Sequence, residues 1–396
     1  MQKNKNLILF AVFFIIYEFN TYISNDMIMP GMIQVVNEFH SSVDNIATSL
    51  SLFIIGGSTL QIFLGPLCER YGKKNIMLVG NILFLIATIV IPFSANMTQF
   101  LWARYFQGMG LCFIFIGYAM IHDLFDDKTA VKLTSLVANI SVFAPLIGPV
   151  IGSAIIIALD WRYIFIVSSI LAVVSLAGLS YSMPNIKSTE PMMDLKEILQ
   201  TYKKIFCTKT LLMGGLIIGL VSLPMLSWIG LAPVIVMKIL GKSYGTYIVY
   251  QSIVFGGFIL SSVLIQYLAG KYSFYKLITR GAIITFIGLL ISFIFHKSEE
   301  TFIAGMFISS FGVGIFTGSI FRIAITSTGL SNSMSAASLN IIQSGTLAAG
   351  LEILNLIGNI FNYSLLSFTM INCVIGIIIL IMCMKFAHTV KGRNWQ

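Results

Sequence analysis

Apolar residues run along this chain in long unbroken blocks, not in the short alternating or 3.6-residue patterns of a water-soluble core. A helix needs roughly 20 residues to cross about 30 Å of hydrocarbon. Blocks of that length fall at about 7–30, 46–67, 76–96, 98–122, 131–158, 161–183, 211–237, 246–270, 277–295, 301–325, 334–358 and 363–387. The pattern predicts an all-α integral membrane protein with twelve transmembrane helices. The longest polar stretch, 184–210, carries Lys187, Glu190, Asp194, Lys196, Glu197, Lys203, Lys204 and Lys209. It divides the spans into two six-helix halves, 1–183 and 211–396, joined by a cytoplasmic central loop at 184–210. Within that loop, 192–206 has the pattern of an amphipathic helix lying along the membrane surface. Two six-helix halves match an architecture in which each half is a structural repeat.

Composition supports the same reading. Only 10% of the 396 residues are charged and 57% are hydrophobic, against about 25% charged in a soluble globular chain. Mean hydropathy is +0.92. The net charge of +9 does not point to nucleic acid, because the basic residues form no stripe interleaved with aromatics. They sit in the short loops. With both termini cytoplasmic, 18 Lys and Arg residues lie on the cytoplasmic side and four (Arg162, Lys238, Lys242, Lys297) on the other, which fixes that orientation by the positive-inside rule. The five cysteines show no paired spacing and the four histidines are scattered, so neither a metal site nor a disulfide framework is expected. No nucleophile, base or metal cluster typical of a membrane enzyme is present, and no cofactor is expected.

Charges inside spans carry the candidate chemistry, since each costs about 2.5–3.5 kcal/mol at a span centre. The first span reads YEFNTYISND. Glu18, Tyr22 and Asp26 recur at i, i+4 and i+8, so they share one helix face. Asp26 lies about 12 Å further along the axis than Glu18, at 1.5 Å per residue. Two carboxylates on one face of one span point to a proton or substrate site, against the alternative of buried groups that only pin packing. Arg104, near the outer end of the fourth span, has a depth similar to that of Asp26. The two are expected to pair, either as a permanent brace or as a contact that protonation of Asp26 releases. Glu352 is a third cavity carboxylate or a packing residue. Arg322 is expected to snorkel to the cytoplasmic interface.

Loops and small residues complete the pattern. Between spans 2 and 3 the chain reads GPLCERYGKK (65–74), where Glu69 and Arg70 suit either a charge latch between helices or a solvated turn. The fifth span contains APLIGPVIGS (144–153), with small residues four apart that permit close helix approach and prolines that interrupt backbone hydrogen bonds. Trp161 and Arg162 open the sixth span.

These segments resemble the twelve-span drug:proton antiporter family of the major facilitator superfamily. The 65–74 turn is similar to that family's loop 2–3 motif, with Glu69 in place of the usual aspartate. Arg104-x-x-Gln107-Gly108 is similar to its fourth-span motif. Gly148-Pro149-x-x-Gly152 is similar to its fifth-span antiporter motif, with Ala144 and Ser153 where glycines are common. YEFNTYISNDMIMPGM, ARYFQGMGLCFI, LVANISVFAPLIGPVIG and GLVSLPMLSWIGLAPVI resemble segments of the family's multidrug exporters in order. The chain between Cys112 and Asp123 is about one residue shorter than theirs.

The resemblance implies a proton-coupled efflux antiporter of the bacterial inner membrane, exporting diverse lipophilic cationic and neutral drugs by alternating access. By match, Glu18 and Asp26 bind protons and cargo, and Arg104 communicates with them. Glu69, Arg70, Gly148, Pro149 and Gly152 serve conformational coupling. Tyr22, Asn25, Asn139, Leu226 and Trp228 line an apolar and aromatic cavity. The expected partners are small-molecule substrates, protons and the lipid bilayer, with the chain acting as a monomer. The rival reading is a dedicated proton-coupled exporter of one metabolite, such as a siderophore.

Overall fold

A computed structural model describes residues 2–185, 195–268 and 271–389. Among the described residues every regular element is helical. The chain divides into two compact units, Met1–Ile198 and Leu199–Gln396. The first unit holds α1 (Gln2–Ile28), α2 (Met32–Glu38), α3 (Asp44–Thr59), α4 (Gln61–Tyr71), α5 (Lys73–Val90), α6 (Met97–Gly108), α7 (Gly110–Leu124), α8 (Asp127–Ala158) and α9 (Arg162–Ser182). A short α10 (Leu195–Phe206) follows. The second unit holds α11 (Lys209–Ala232), α12 (Tyr244–Leu268), α13 (Phe274–Ile294), α14 (Glu299–Thr326), α15 (Asn332–Ile360) and α16 (Leu365–Thr389).

Ten described helical segments are long and apolar enough to cross a membrane, and the bent pair α3–α4 makes an eleventh. The 32-residue α8 occupies the place of the expected fifth span and carries a shorter described apolar stretch, Phe143–Ala158. The element order is therefore consistent with twelve spans. Large apolar side chains stand exposed along the helices, among them Ile86, Ile170, Leu260 and Ile381. In lipid, unlike water, such exposure carries no penalty.

The spans are less regular than the sequence pattern implies. The first does not stop near residue 30. It passes through a 3-10 turn at Met29–Gly31 into α2 and ends at Glu38. Pro30 tightens the turn because it has no N–H to continue the helix ladder. The wholly buried Met29, Met32 and Val35 keep both arms packed. The second span is bent by about 40° between Thr59 and Gln61. There the Cys112 thiol donates to the carbonyls of Gly56 and Gly57, at 3.6 and 3.1 Å, so carbonyls beside the break have a donor. The fourth span breaks between Gly108 and Gly110, and the seventh ends in a π-helical stretch, Pro233–Ile239.

The amphipathic helix expected along the membrane surface forms as α10, but its apolar stripe is covered by protein. Ile198, Tyr202 and Ile205 are all buried, whereas Leu199 is exposed.

The seam between α1 and α8 positions the first unit's polar residues. A Cβ on Gly148 would lie 2.5 Å from Asp26 Cβ, and a Cβ on Gly152 would lie 1.9 Å from the Met27 carbonyl oxygen. The two glycines, one helical turn apart, bring the α8 backbone directly onto α1 at Asp26–Met27. Pro149 lies between them, inside α8.

Gly152→Ala is expected to lower stability by about 1–3 kcal/mol, because the added methyl meets backbone and not a movable side chain. This outweighs the helix-propensity gain of up to about 1 kcal/mol. Thermal unfolding of the purified protein in detergent checks it. An unchanged midpoint would contradict the close contact.

Candidate functional site

The sequence predicts chemistry on α1, and the structure places that chemistry in the interior of the first unit. Glu18, Asn25 and Asp26 are buried, and Tyr22 is half-buried. Three contacts fix the rotation and height of α1 among its neighbours. The Tyr17 hydroxyl donates to the Gly110 carbonyl at 2.7 Å. Asn20 Nδ2 donates to the Ser168 carbonyl, and the Ser168 hydroxyl donates back to Asn20 Oδ1, both at 2.8 Å. Buried polar pairs of this kind make other helix registers unfavourable, since a shift would orphan both partners.

At the inner end of the group, Glu18 Oε1 accepts from the Tyr118 hydroxyl of α7 at 3.0 Å. Glu18 Oε2 is buried without a hydrogen-bond partner among the described residues. Two turns on, Asp26 Oδ1 accepts from Asn25 Nδ2 at 3.2 Å. Asn25 Oδ1 in turn accepts from Arg104 Nη2. The expected Asp26–Arg104 contact is thus indirect here, with Asn25 standing between the two charges. An amide can do this because its oxygen accepts from the guanidinium while its nitrogen donates to the carboxylate. Asn25, expected as a cavity-lining residue, forms this link.

Arg104 is wholly buried. Two further hydrogen bonds go to Ser49 Oγ, at 3.2 Å from Nε, and to Gln107 Oε1 from Nη1. Gln107 Nε2 donates to Thr88 Oγ1 at 3.1 Å, and Thr88 donates to the Phe84 carbonyl at 2.7 Å. The guanidinium carbon also lies 4.7 Å from the centre of the Phe53 ring, within cation–π range. The network therefore runs from Asp26 on α1 through Asn25 to Arg104 and Gln107 on α6, and on to Ser49 on α3 and Thr88 on α5.

The other expected residues take varied places. Gly148 and Gly152 form the wall behind Asp26. Asn139 lies on α8, and its side chain is outside the described residues. Leu226 and Trp228 are on α11. Trp228 is fully buried in an aromatic cluster of the second unit, with ring centres 5.5 Å from Phe302 and 6.1 Å from Phe368. Glu352 is half-buried on α15, and Arg322 is exposed four residues before the end of α14. At the α4–α5 turn, the Arg70 guanidinium lies 5.2 Å from the Tyr71 ring centre. The ion pair in this region is between Lys73 and Asp123, so the turn is tied to the end of α7. Asp123, next to the last residue of α7, is one half of that tie.

The sequence names Gln107 only as part of the fourth-span motif and does not single out Ser49, Thr88 or Tyr118. Gln107 stands three residues after Arg104, a spacing that puts both on one helix face, and could have been read as its partner. Ser49, Thr88 and Tyr118 carry no such local signal. At the opposite end, Glu38 accepts from both Trp161 Nε1 (2.8 Å) and Arg162 Nη1 (3.0 Å), and the Arg162 Nε donates to the Pro92 carbonyl at 3.0 Å. This gives the Trp161–Arg162 pair its structural role, joining the end of α2 to the start of α9.

The sequence model described as the Major Facilitator Superfamily matches residues 14–351. The chain belongs to that superfamily. Its relatives include the multidrug transporter MdfA of Escherichia coli O6:H1, 33% identical over 89% of this chain and 87% of the relative. They also include the multidrug resistance protein MdtM of Escherichia coli O157:H7, 30% identical over 93% and 91%. Among solved structures, a D-xylose-proton symporter superposes with a TM-score of 0.76 at 17% identity, covering 98% of this chain and 99% of that one. A bacterial homologue of the human lysosomal transporter Spinster gives 0.77 at 12% identity, over 100% and 98%. Those two likenesses show the major facilitator fold. The protein is accordingly a multi-span membrane transporter.

Arg104→Lys is expected to insert and fold but to lose at least tenfold in transport, because one ammonium cannot reach Ser49, Gln107 and Asn25 in the geometry of a planar guanidinium. Transport by equal amounts of folded protein checks it. Wild-type transport would show that the network is not needed.

Proposed function

We propose that this transporter is a proton-coupled efflux antiporter of the bacterial inner membrane, exporting diverse lipophilic cationic and neutral drugs, with both termini cytoplasmic. The observation that carries the reading is the pair of buried carboxylates on one face of α1, neither of them ion-paired with a cation among the described residues. A buried carboxylate without a cationic partner is accommodated only by taking a proton or a positively charged guest. Two such groups on one helix let proton and cargo compete for the same surface, which is the condition for exchange. Relatives named as multidrug transporters, at 30–33% identity over most of the chain, support broad cargo over a single metabolite.

In this reading Glu18 is the carboxylate that meets positively charged cargo, with its Oε2 free of partners. Asp26 is the proton site tied to conformation, because its charge is felt through Asn25 by Arg104 and hence by α3, α5 and α6. Loading or unloading a proton there changes what Asn25 and Arg104 must satisfy, and so biases the packing of four helices at once. In this reading the chain acts as a monomer.

Glu18→Gln is expected to reduce export of cationic compounds at least tenfold while sparing uncharged ones, and Asp26→Asn to abolish drug-driven proton release from everted vesicles. Fluorescence of a pH-sensitive dye in those vesicles checks both. Undiminished cation export in both variants would sink the assignment. Resistance to no unrelated drugs, with one secreted metabolite lost on deletion, would favour the single-cargo exporter.

A further inference from the structure

Tyr118 lies outside the segments whose similarity suggested a function, and its contact with Glu18 bridges 100 residues of sequence. The local geometry shows how it arrives there. Gly117, its neighbour on α7, sits against Phe14. A Cβ on Gly117 would lie 1.9 Å from Phe14 Cε2. Phe14 is one turn before Glu18 on α1. The absence of a side chain at 117 thus lets α7 close onto α1 directly below the carboxylate. The Tyr17 hydroxyl on the Gly110 carbonyl pins the same two helices about two turns away along α7. The Tyr118 ring then stacks edge-on against Phe14, with centres 5.8 Å apart, and its hydroxyl reaches Glu18 Oε1 at 3.0 Å.

The result is an asymmetric carboxylate. Glu18 Oε1 is held by a neutral donor, and Glu18 Oε2 is buried with no donor among the described residues. A hydrogen bond from a hydroxyl to a carboxylate is stronger when the carboxylate is charged, so this contact favours the form that attracts a cation. It also fixes the rotation of the carboxyl group, so that Oε1 and not Oε2 is the oxygen bonded to Tyr118.

We propose that Tyr118 is a positioning residue for cation selectivity. Its hydroxyl holds one oxygen of Glu18 and so presents the other to the positive charge of a lipophilic organic cation. The residue is not needed for uncharged cargo, which has no charge for Glu18 to meet. The inference rests on Glu18 being the cation-binding carboxylate.

Tyr118→Phe tests it with little disturbance, since the ring and its Phe14 contact remain and only the hydroxyl is lost. Affinity is measured on the purified full chain in detergent, with tetraphenylphosphonium as the cationic probe and chloramphenicol as the uncharged one. The expected result is a loss of about tenfold for tetraphenylphosphonium, with chloramphenicol affinity kept within about twofold. In a Glu18→Gln background the same substitution is expected to add nothing, because the hydroxyl acts through that carboxylate. Retained affinity for both probes overturns the proposal. So does an equal loss for both, which would make Tyr118 a general brace of the α1–α7 contact. If Glu18→Gln alone leaves tetraphenylphosphonium affinity intact, the parent assignment of Glu18 fails instead, whatever Tyr118→Phe does.

Discussion

A guanidinium enclosed in an apolar helix bundle must find acceptors for its donors, and much of the first unit is arranged around how Arg104 does so. It is wholly buried, and an unpaired charge at that depth would be strongly destabilising. Its acceptors come from Ser49, Gln107 and Asn25, and Gln107 passes the demand on to Thr88. Four helices are thereby held in one mutual register by a single side chain. The carboxylate that would most directly balance the charge, Asp26, is kept one amide away. A direct ion pair would be strong and hard to break. An amide bridge leaves each charge separately responsive to a proton or a guest.

The two carboxylates of α1 are held by different means. Asp26 is bound into the arginine network through its own neighbour in sequence and is backed by Gly148 and Gly152, so a change there is transmitted to the surrounding helices. Glu18 is bound by one tyrosine hydroxyl on a single neighbouring helix and has no other partner among the described residues. The first arrangement suits coupling and the second suits recognition. Both depend on glycine seams. Gly148 and Gly152 set the distance from α8 to α1, and Gly117 sets the distance from α7 to α1. Lipid-exposed helices gain no hydrophobic driving force from meeting each other, so close backbone packing of this kind supplies much of the attraction.

Breaks in the spans serve the same interior. The bend at Leu60 and the interruption at Met109 fall on α3–α4 and α6–α7, the helices that carry Ser49 and Arg104. Interrupted backbone leaves carbonyls without helical partners, which a bilayer core tolerates only where other protein groups cover them. The Cys112 thiol does this for the second span, where Gly56 and Gly57 lie in the last turn of α3.

Sequence alone determined the class of molecule, the order of its spans and the face of α1 that carries Glu18, Tyr22 and Asp26. These follow from local rules: hydrocarbon thickness sets block length, and 3.6 residues per turn sets which residues share a face. The seam at Gly148 and Gly152 was also legible, because small residues four apart have one helical meaning. Tertiary structure alone decided which groups meet. It placed Asn25 between Asp26 and Arg104, brought Tyr118 to Glu18 across 100 residues, joined Lys73 to Asp123, turned the stripe of α10 toward protein and put Trp228 into an aromatic core. Each of these depends on the rotation and height of one helix against another. Those are set by close contacts and hydrogen bonds between distant segments, and no local pattern records them.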